Sequence, residues 1–344
     1  MPSRDALYTE RQAIAAIKRF RSISYGQKFC VTKDIFVTLY DAGHILGSSI
    51  IVLDIKDNGR NVRIGYAVDL GRKNLPLLNN PVVPAGLDYL ILESTYGAKL
   101  HSPISEAKYK LKEAVNNTVE RRGKILIPSF TLERTQEVVY FLGELLKEKA
   151  IPPIPIYVDS PLATDITDLF KYHMEYLNPE TREAMIRGDD PLEYLQLRFI
   201  RTQQESKRLN TDKRPMIIIA GSGMCESGRI LHHLQNNIED SRNTILVVGY
   251  MARDTLGKRI VDQYPFVHIF GVEYELNAQV VVINAFSGHA DKNELLDFVG
   301  QALPLKRIFI VHGDEEQSQS FCDCLIQKGL NAYLPSKDEE VLLN

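Results

Sequence analysis

Five residues of this 344-residue chain have side chains that can bind a metal or move a proton, and all five share one local setting. They are His44, Asp69, Glu93, His289 and His312. Each follows a strand-like run and stands beside glycine or another small residue. His44 lies between two glycines in Asp41–Ser49 (DAGHILGSS), after the run 34–40. Asp69 follows 61–67 within VDLGR, Glu93 follows 89–92, His289 follows 280–285, and His312 follows 308–311 ahead of Gly313. Flanking glycine lets an imidazole approach a metal or phosphate with little steric obstruction. Singly, each has a structural reading: His44 as a solvated hairpin turn, Asp69 as a turn cap. Five such groups at strand ends are far harder to explain by structure alone. Imidazole and carboxylate together suit zinc, manganese or iron. An aspartate can bridge two metals roughly 3.5–4 Å apart, the spacing used for in-line displacement at phosphorus. A histidine outside the ligand set can protonate a leaving oxygen, its tautomer fixed by a carboxylate on the other ring nitrogen.

A second group of residues suits phosphate. Ile219–Met224 leaves a strand through Gly221, Ser222 and Gly223 and enters a helix near Ser227, where backbone amides favour an anion. Ser160 precedes Pro161 at another strand-to-helix turn, and Arg134 falls in the first turn of a helix. Glycine turns are common in α/β folds, so a structural reading of Gly221–Gly223 has equal standing.

The elements that must position these residues fall into three blocks. The first hundred residues are mostly β, with strands at 34–40, 49–55, 61–67 and 89–92, Asn58-Gly59 as a hairpin turn, and one helix opened by a Thr9–Gln12 capping box with Ile14, Ile17 and Phe20 on one apolar face. From about 105 to 250, helices (105–122, 133–148, 161–175, 180–187, 227–236) alternate with short apolar strands (125–128, 154–158, 216–220, 244–248). That alternation predicts a parallel sheet covered on both faces. The stretch 198–214, with six basic residues against Glu205 and Asp212, reads as a solvated charged loop. Strands at 267–272, 280–285 and 308–312 and helices at 291–301 and 315–328 follow. This order is what an α/β unit inserted into a host domain would produce.

Composition sets limits. The chain is 44% apolar and 25% charged with a formal net charge of −3, so nucleic-acid contact needs a local basic groove. The cysteines, Cys30, Cys225, Cys322 and Cys324, contain no CxxC pair, which argues against a zinc ribbon or redox dithiol. No run is long enough to span a membrane, and a cytoplasmic protein with reduced thiols is the expectation.

The chain resembles the β-CASP branch of the metallo-β-lactamase superfamily, which includes RNA-processing nucleases. DAGHILGS at 41–48, VDLGR at 68–72, LESTYG at 92–97, FSGHADK at 286–292 and IVHGDEE at 310–316 carry the resemblance in order and spacing. PSFTLERTQE, VDSPLA and GSGMCESGR are similar to landmarks of the inserted domain. The resemblance implies an α/β fold: a metallo-β-lactamase αββα sandwich (1–104 and 281–344) with an inserted parallel-sheet β-CASP domain (105–280). It implies His44, Asp69 and His312 as ligands of a two-zinc site, Asp69 bridging, with Glu93 and His289 as catalytic pair and His289 as general acid. Single-stranded RNA would be hydrolysed by in-line attack of metal-bound hydroxide, with Ser160, Gly221, Ser222, Gly223 and Arg134 on the phosphates. Histidine at position 312 is similar to RNA-processing rather than DNA-repair members.

One feature departs from the family. Its HxHxDH motif, which should precede His44, is absent, and no histidine precedes His44 at all. The adjacent His232 and His233 lie on a predicted helix and cannot substitute. LYTERQAIAAIKRF resembles what the family places just after that motif. The expectation is therefore a truncated form: an incomplete sandwich, an incomplete zinc site and impaired catalysis, completed by a homodimer or a complementing N-terminal segment. The alternatives are a non-catalytic RNA-binding or scaffolding paralogue, a DNA nuclease and a small-molecule metallohydrolase. Retention of all five site residues argues against long-standing loss of catalysis.

Overall fold

The computed structural model describes residues 7–343. Two sheets carry the fold. The first has seven strands in the order β1-β2-β3-β4-β5-β14-β15. These are β1 (Lys28–Thr32), β2 (Ile35–Asp41), β3 (Ser49–Asp57), β4 (Arg60–Ala67), β5 (Tyr89–Glu93), β14 (Arg307–Val311) and β15 (Ala332–Tyr333). Pairing is antiparallel from β1 to β4 and parallel from β4 to β15. Consecutive short turns allow the antiparallel part, and the parallel part needs crossovers.

The second sheet has six strands, all parallel, in the order β13-β10-β6-β9-β7-β8. They are β6 (Ile125–Pro128), β7 (Ile156–Val158), β8 (Leu197–Phe199), β9 (Ile217–Ala220), β10 (Thr244–Val247) and β13 (Gln279–Val282). Along β6 and β9 the side chains alternate between two cores. Ile125, Ile127, Ile217 and Ile219 enter one, and Leu126, Ile218 and Ala220 enter the other. Burial on both faces is why these strands read as unbroken apolar runs. Helices α2 (Ile104–Glu120), α3 (Arg134–Lys147), α4 (Pro161–Tyr172), α5 (Pro179–Ile186), α6 (Gln203–Thr211), α7 (Arg229–Asn237) and α8 (Leu256–Val261) connect them. On the seven-stranded sheet, α9 (Lys292–Ala302) and α10 (Glu315–Gln327) supply Leu295, Phe298, Phe321 and Leu325 to a third core with Ile50, Val52, Leu90 and Ile310. Asp291 caps α9 within a capping box.

Four differences from the sequence expectations have physical causes. The stretch 198–214 is not a solvated loop: it holds β8 and α6. Thr202 and Glu205 form a capping box there, and Leu209 and Ser206 are buried. Charge density on the exposed face concealed the helix. The expected strand 267–272 is a hairpin, β11 (Phe266–Ile269) and β12 (Val272–Glu275), turning at Phe270-Gly271. The expected strand 280–285 stops at Val282 and gives way to a 3₁₀ turn, and its β13 part straddles the 280/281 position while pairing with β10. Finally, α1 (Glu10–Ile17) has its Thr9 capping box, yet Ile14, Ile17 and Phe20 remain exposed.

Candidate active site

Strand direction assembles the site. β2 is antiparallel to β3 and β3 to β4, so β2 runs with β4, and β5 and β14 run with both. The C-terminal ends of all four strands therefore lie on one sheet edge. His44 follows β2, Asp69 follows β4, Glu93 ends β5 and His312 follows β14.

Local chemistry fixes each loop. In the His44 loop, Gly43 N–H donates to Asp41 Oδ1 (2.8 Å), and Ser48 Oγ accepts from the amides of His44 (3.1 Å) and Ile45 (3.2 Å). The VDLGR loop presses against it: Gly71 N–H donates to Ala42 O at 2.8 Å, and a Cβ on Gly71 would lie 1.8 Å from Gly43 O. Only glycine allows that approach. Asp69 sits at φ +59 and His312 at φ +50, left-handed positions that turn both side chains off their strands.

His289 arrives from the other sheet. It pairs with Gly71 in an isolated antiparallel bridge, and Ala290 N–H donates to Leu70 O at 2.8 Å. Its Nδ1 lies 3.1 Å from both oxygens of Glu93, which is fully buried. The Leu70 amide and Thr95 also bond that carboxylate. Burial alone pushes the Glu93 carboxyl up, but the His289 bond and charge, with the Thr95 and Leu70 bonds, bring it below its ordinary value. Burial likewise opposes charge on His289, and the Glu93 bond outweighs it, raising the imidazole above its ordinary value. His44 moves the other way: burial, then the neighbouring His289, lower it.

The ring centroids of His44 and His289 are 4.4 Å apart, and those of His289 and His312 are 5.9 Å apart. His312 Nε2 stands 3.7 Å from Asp69 Oδ1, and Thr95 Oγ1 is 3.4 Å from His312 Nδ1. The five sequence-derived groups thus converge. Of the phosphate candidates, Arg134 reaches a cleft of about 430 Å³ that His44 and His289 also line. There it pairs with buried Glu137 and lies 6.0 Å from the Phe286 ring centroid. Ser160, Gly221, Ser222 and Gly223 do not line that cleft. Ser160 Oγ caps α4 by accepting from Ala163 N–H, and Ser222 Oγ accepts from the amides of Glu226 (3.0 Å) and Ser227 (3.2 Å).

Sequence reasoning missed three residues. His101 Nε2 is 3.0 Å from His289 O, and a carbonyl only accepts, so Nε2 carries the proton. Its ring meets Tyr96 edge-on at 4.4 Å, and its amide donates to Asp291 Oδ2 at 3.0 Å. Burial, then the charge of Arg72, lower its pKa to about 4. Tyr96 joins it in clasping the Glu93 segment to the His289 segment. Glu133, at φ +66, accepts from Leu46 N–H at 3.2 Å; burial and then the Glu137 charge push its carboxyl well up. Tyr96 lies within LESTYG and Glu133 within PSFTLERTQE, so the signal was in those motifs, whereas His101 has none because its contact to His289 is distant in sequence.

Residues 135–260 match the Beta-Casp domain, and residues 273–335 match the Zn-dependent metallo-hydrolase RNA specificity domain. The chain is 34% identical over 326 residues to Ribonuclease TTHA0252 of Thermus thermophilus, covering 95% of this chain and 73% of that protein. The chain belongs to the β-CASP metallo-β-lactamase family of RNA nucleases. Within that family it is 31% identical over 349 residues to the transcription termination factor FttA of Pyrococcus horikoshii, covering 98% of this chain and 53% of that protein. It is 28% identical over 323 residues to an RNase J-like protein of Methanocaldococcus jannaschii, covering 91% of this chain and 72% of that protein. The chain thus spans about half the length of FttA. No helix among the described residues is long and apolar enough to cross a membrane.

The family is one of Zn-dependent metallo-hydrolases, and the donor set here suits that metal. His44 Nδ1 is buried beside the Gly288 backbone and makes no hydrogen bond of good geometry among the described residues, which leaves its lone pair suited to a cation. Ligand atoms of His44, Asp69 and His289 all lie within 4.8 Å of one another.

Proposed function

We propose that this chain forms the catalytic scaffold of a metal-dependent RNA phosphodiester hydrolase, with His289 as general acid and His44, Asp69 and His312 as metal ligands. One observation carries the reading: His289 Nδ1 faces both oxygens of the buried Glu93 carboxylate at 3.1 Å. That bond fixes the proton on Nδ1 and leaves Nε2 to carry the exchangeable one. The raised pKa keeps the ring protonated further toward neutral pH. Nε2–H then donates to the leaving ribose oxygen, while Glu93 stabilises the charged ring. Zinc, when bound, would supply activated water and neutralise charge at phosphorus. Arg134 adds positive charge to the cleft wall and Tyr96 a flat apolar surface.

Three donors suffice for one catalytic zinc and are too few for two. We therefore infer that the donors of these 344 residues hold a single zinc, and that a two-zinc reaction needs further ligands. We take the seven-stranded sheet as one half of a metallo-β-lactamase sandwich and the six-stranded sheet as the inserted unit, beginning near residue 105. Its return belongs after Val282, because β13 pairs with β10. Single-stranded RNA fits the cleft, whose volume is small for a duplex.

The test pairs His289→Ala with His44→Ala, measuring zinc content and cleavage of matched RNA and DNA oligonucleotides. His289→Ala should slow RNA cleavage by roughly 10²–10⁴ and keep zinc. His44→Ala should lose both. A second reading rests on the mutual closeness of His44, Asp69 and His289: His289 as a ligand oriented by Glu93. Loss of zinc in His289→Ala would establish that reading instead. RNA binding that ignores chelators, with no cleavage by the zinc-loaded chain, would favour the non-catalytic binding role.

A further inference from the structure

A second cavity lies apart from the cleft at His289. It measures about 940 Å³ and lies among α6, α7, α8 and the β11–β12 hairpin. One loop separates the two. Met224 lines the cleft with His44, and the next four residues, Cys225–Gly228, line the larger cavity. A strand leaving the cleft therefore crosses a single loop to enter it.

The walls suit an unstacked nucleotide. Phe270 is 54% exposed at a hairpin turn, at φ +52, followed by Gly271 at φ +79. That turn position favours Asn, Asp or Gly, and a bulky side chain there is a backbone outlier that contributes nothing to a core. Such outliers persist where a function keeps them. The Phe270 ring lies 4.8 Å from that of His232, so the pair forms an aromatic wall. Across the cavity, Lys207 is exposed and has no ion pair among the described residues, and Gln203 and Asn236 offer amides. Among the described residues the one lining carboxylate, Glu226, is engaged with the Leu256 amide at 2.6 Å.

The frame is rigid. Buried Asp159 accepts from Arg229, His233 and Ser206, tying α6 to α7, and Arg229 also donates to Arg201 O at 2.9 Å.

We propose that this cavity is a second RNA subsite, stacking a base on Phe270 and His232 and holding its phosphate on Lys207. It extends the path of the strand whose scissile phosphate lies at His289, and so rests on the reading above. Aromatic stacking with a lysine contact is how single strands are held without sequence preference.

The experiment uses fluorescence anisotropy in chelator, so that nothing is cleaved, with labelled single-stranded RNA of roughly 4 and 16 nucleotides. The variants are Phe270→Ala and Lys207→Ala, both exposed and outside the hydrophobic cores, with circular dichroism as the check on folding. For the longer RNA each variant should bind roughly 5- to 100-fold more weakly, the range for losing one stacked base or its phosphate contact. The short RNA, which fills the cleft alone, should bind all three proteins equally. Wild-type affinity of both variants for the longer RNA would overturn the proposal, assign Phe270 to a protein contact and leave the cleft reading intact. Equal losses for both lengths would also overturn it. Failure of the wild type to bind either RNA would overturn the RNA reading itself.

Discussion

His101 gives the sharpest quantitative consequence of this architecture. Its ring is held neutral by burial and by Arg72, with a pKa of about 4 against 6.5 for a free imidazole. The unfolded chain therefore takes up a proton at this residue between pH 6.5 and 4, and the folded chain does not. Proton uptake by the unfolded state favours unfolding, so stability is intact above pH 6.5 and is lost progressively as pH falls toward 4. The two pKa values give a cost of about 2 kcal/mol at pH 5 and at most about 3 kcal/mol near pH 4, reduced by the partial hydration of the ring. The perturbation is His101→Gln, which retains a donor and cannot titrate. Urea unfolding of both proteins at pH 7 and pH 5 isolates the effect, because every other titrating group cancels in the comparison. The variant should be less stable at pH 7, where the hydrogen bond to His289 O and the ring contact with Tyr96 are weakened, and the gap should narrow by about 2 kcal/mol at pH 5. An NMR titration of the His101 ring supplies the direct check. An unchanged gap, or a titration midpoint at the free-imidazole value, would refute the claim that this ring is a neutral clasp.

Other consequences follow from single contacts. Gly71→Ala places a Cβ 1.8 Å from Gly43 O, so the His44 and Asp69 loops must separate. The expected loss is about 3 kcal/mol or more with weakened zinc binding, read by thermal unfolding and metal titration. Asp159→Asn removes the charge that buried His233 and Arg229 face, and should cost about 3 kcal/mol in chemical denaturation. Thr202→Ala removes the α6 cap and should cost about 1 kcal/mol by the same assay, leaving the His289 cleft unchanged.

Much of the fold was legible in the sequence because its signals are local. The strands at 125–128, 217–220 and 308–311 show as apolar runs, since burial on both faces leaves no polar positions. The glycines around His44 and Asp69 marked the site because close backbone approach requires them. α6 was hidden by its charged outer face, although Thr202 and Glu205 spelled its cap. The β11–β12 hairpin was hidden because Phe270 is not a turn-forming residue. Of the phosphate candidates, Arg134 lines the cleft, whereas the hydroxyls of Ser160 and Ser222 accept from amides of their own helix and loop.

The sequence by itself determined which side chains could do chemistry, and that each stands at the end of a strand. Only the tertiary structure decided that they meet. Glu93 and His289 are 196 positions apart, and no pattern within either segment specifies their contact. It arises because β2, β4, β5 and β14 run the same way, which sends four loop ends to one edge. The chain returning from β13 then brings His289 beside Gly71, whose missing side chain lets the Gly43–His44 backbone close against it. Strand direction and backbone clearance are properties of the packed sheet, and for that reason the same edge also recruits His101, Tyr96 and Glu133, whose contacts to it are distant in sequence.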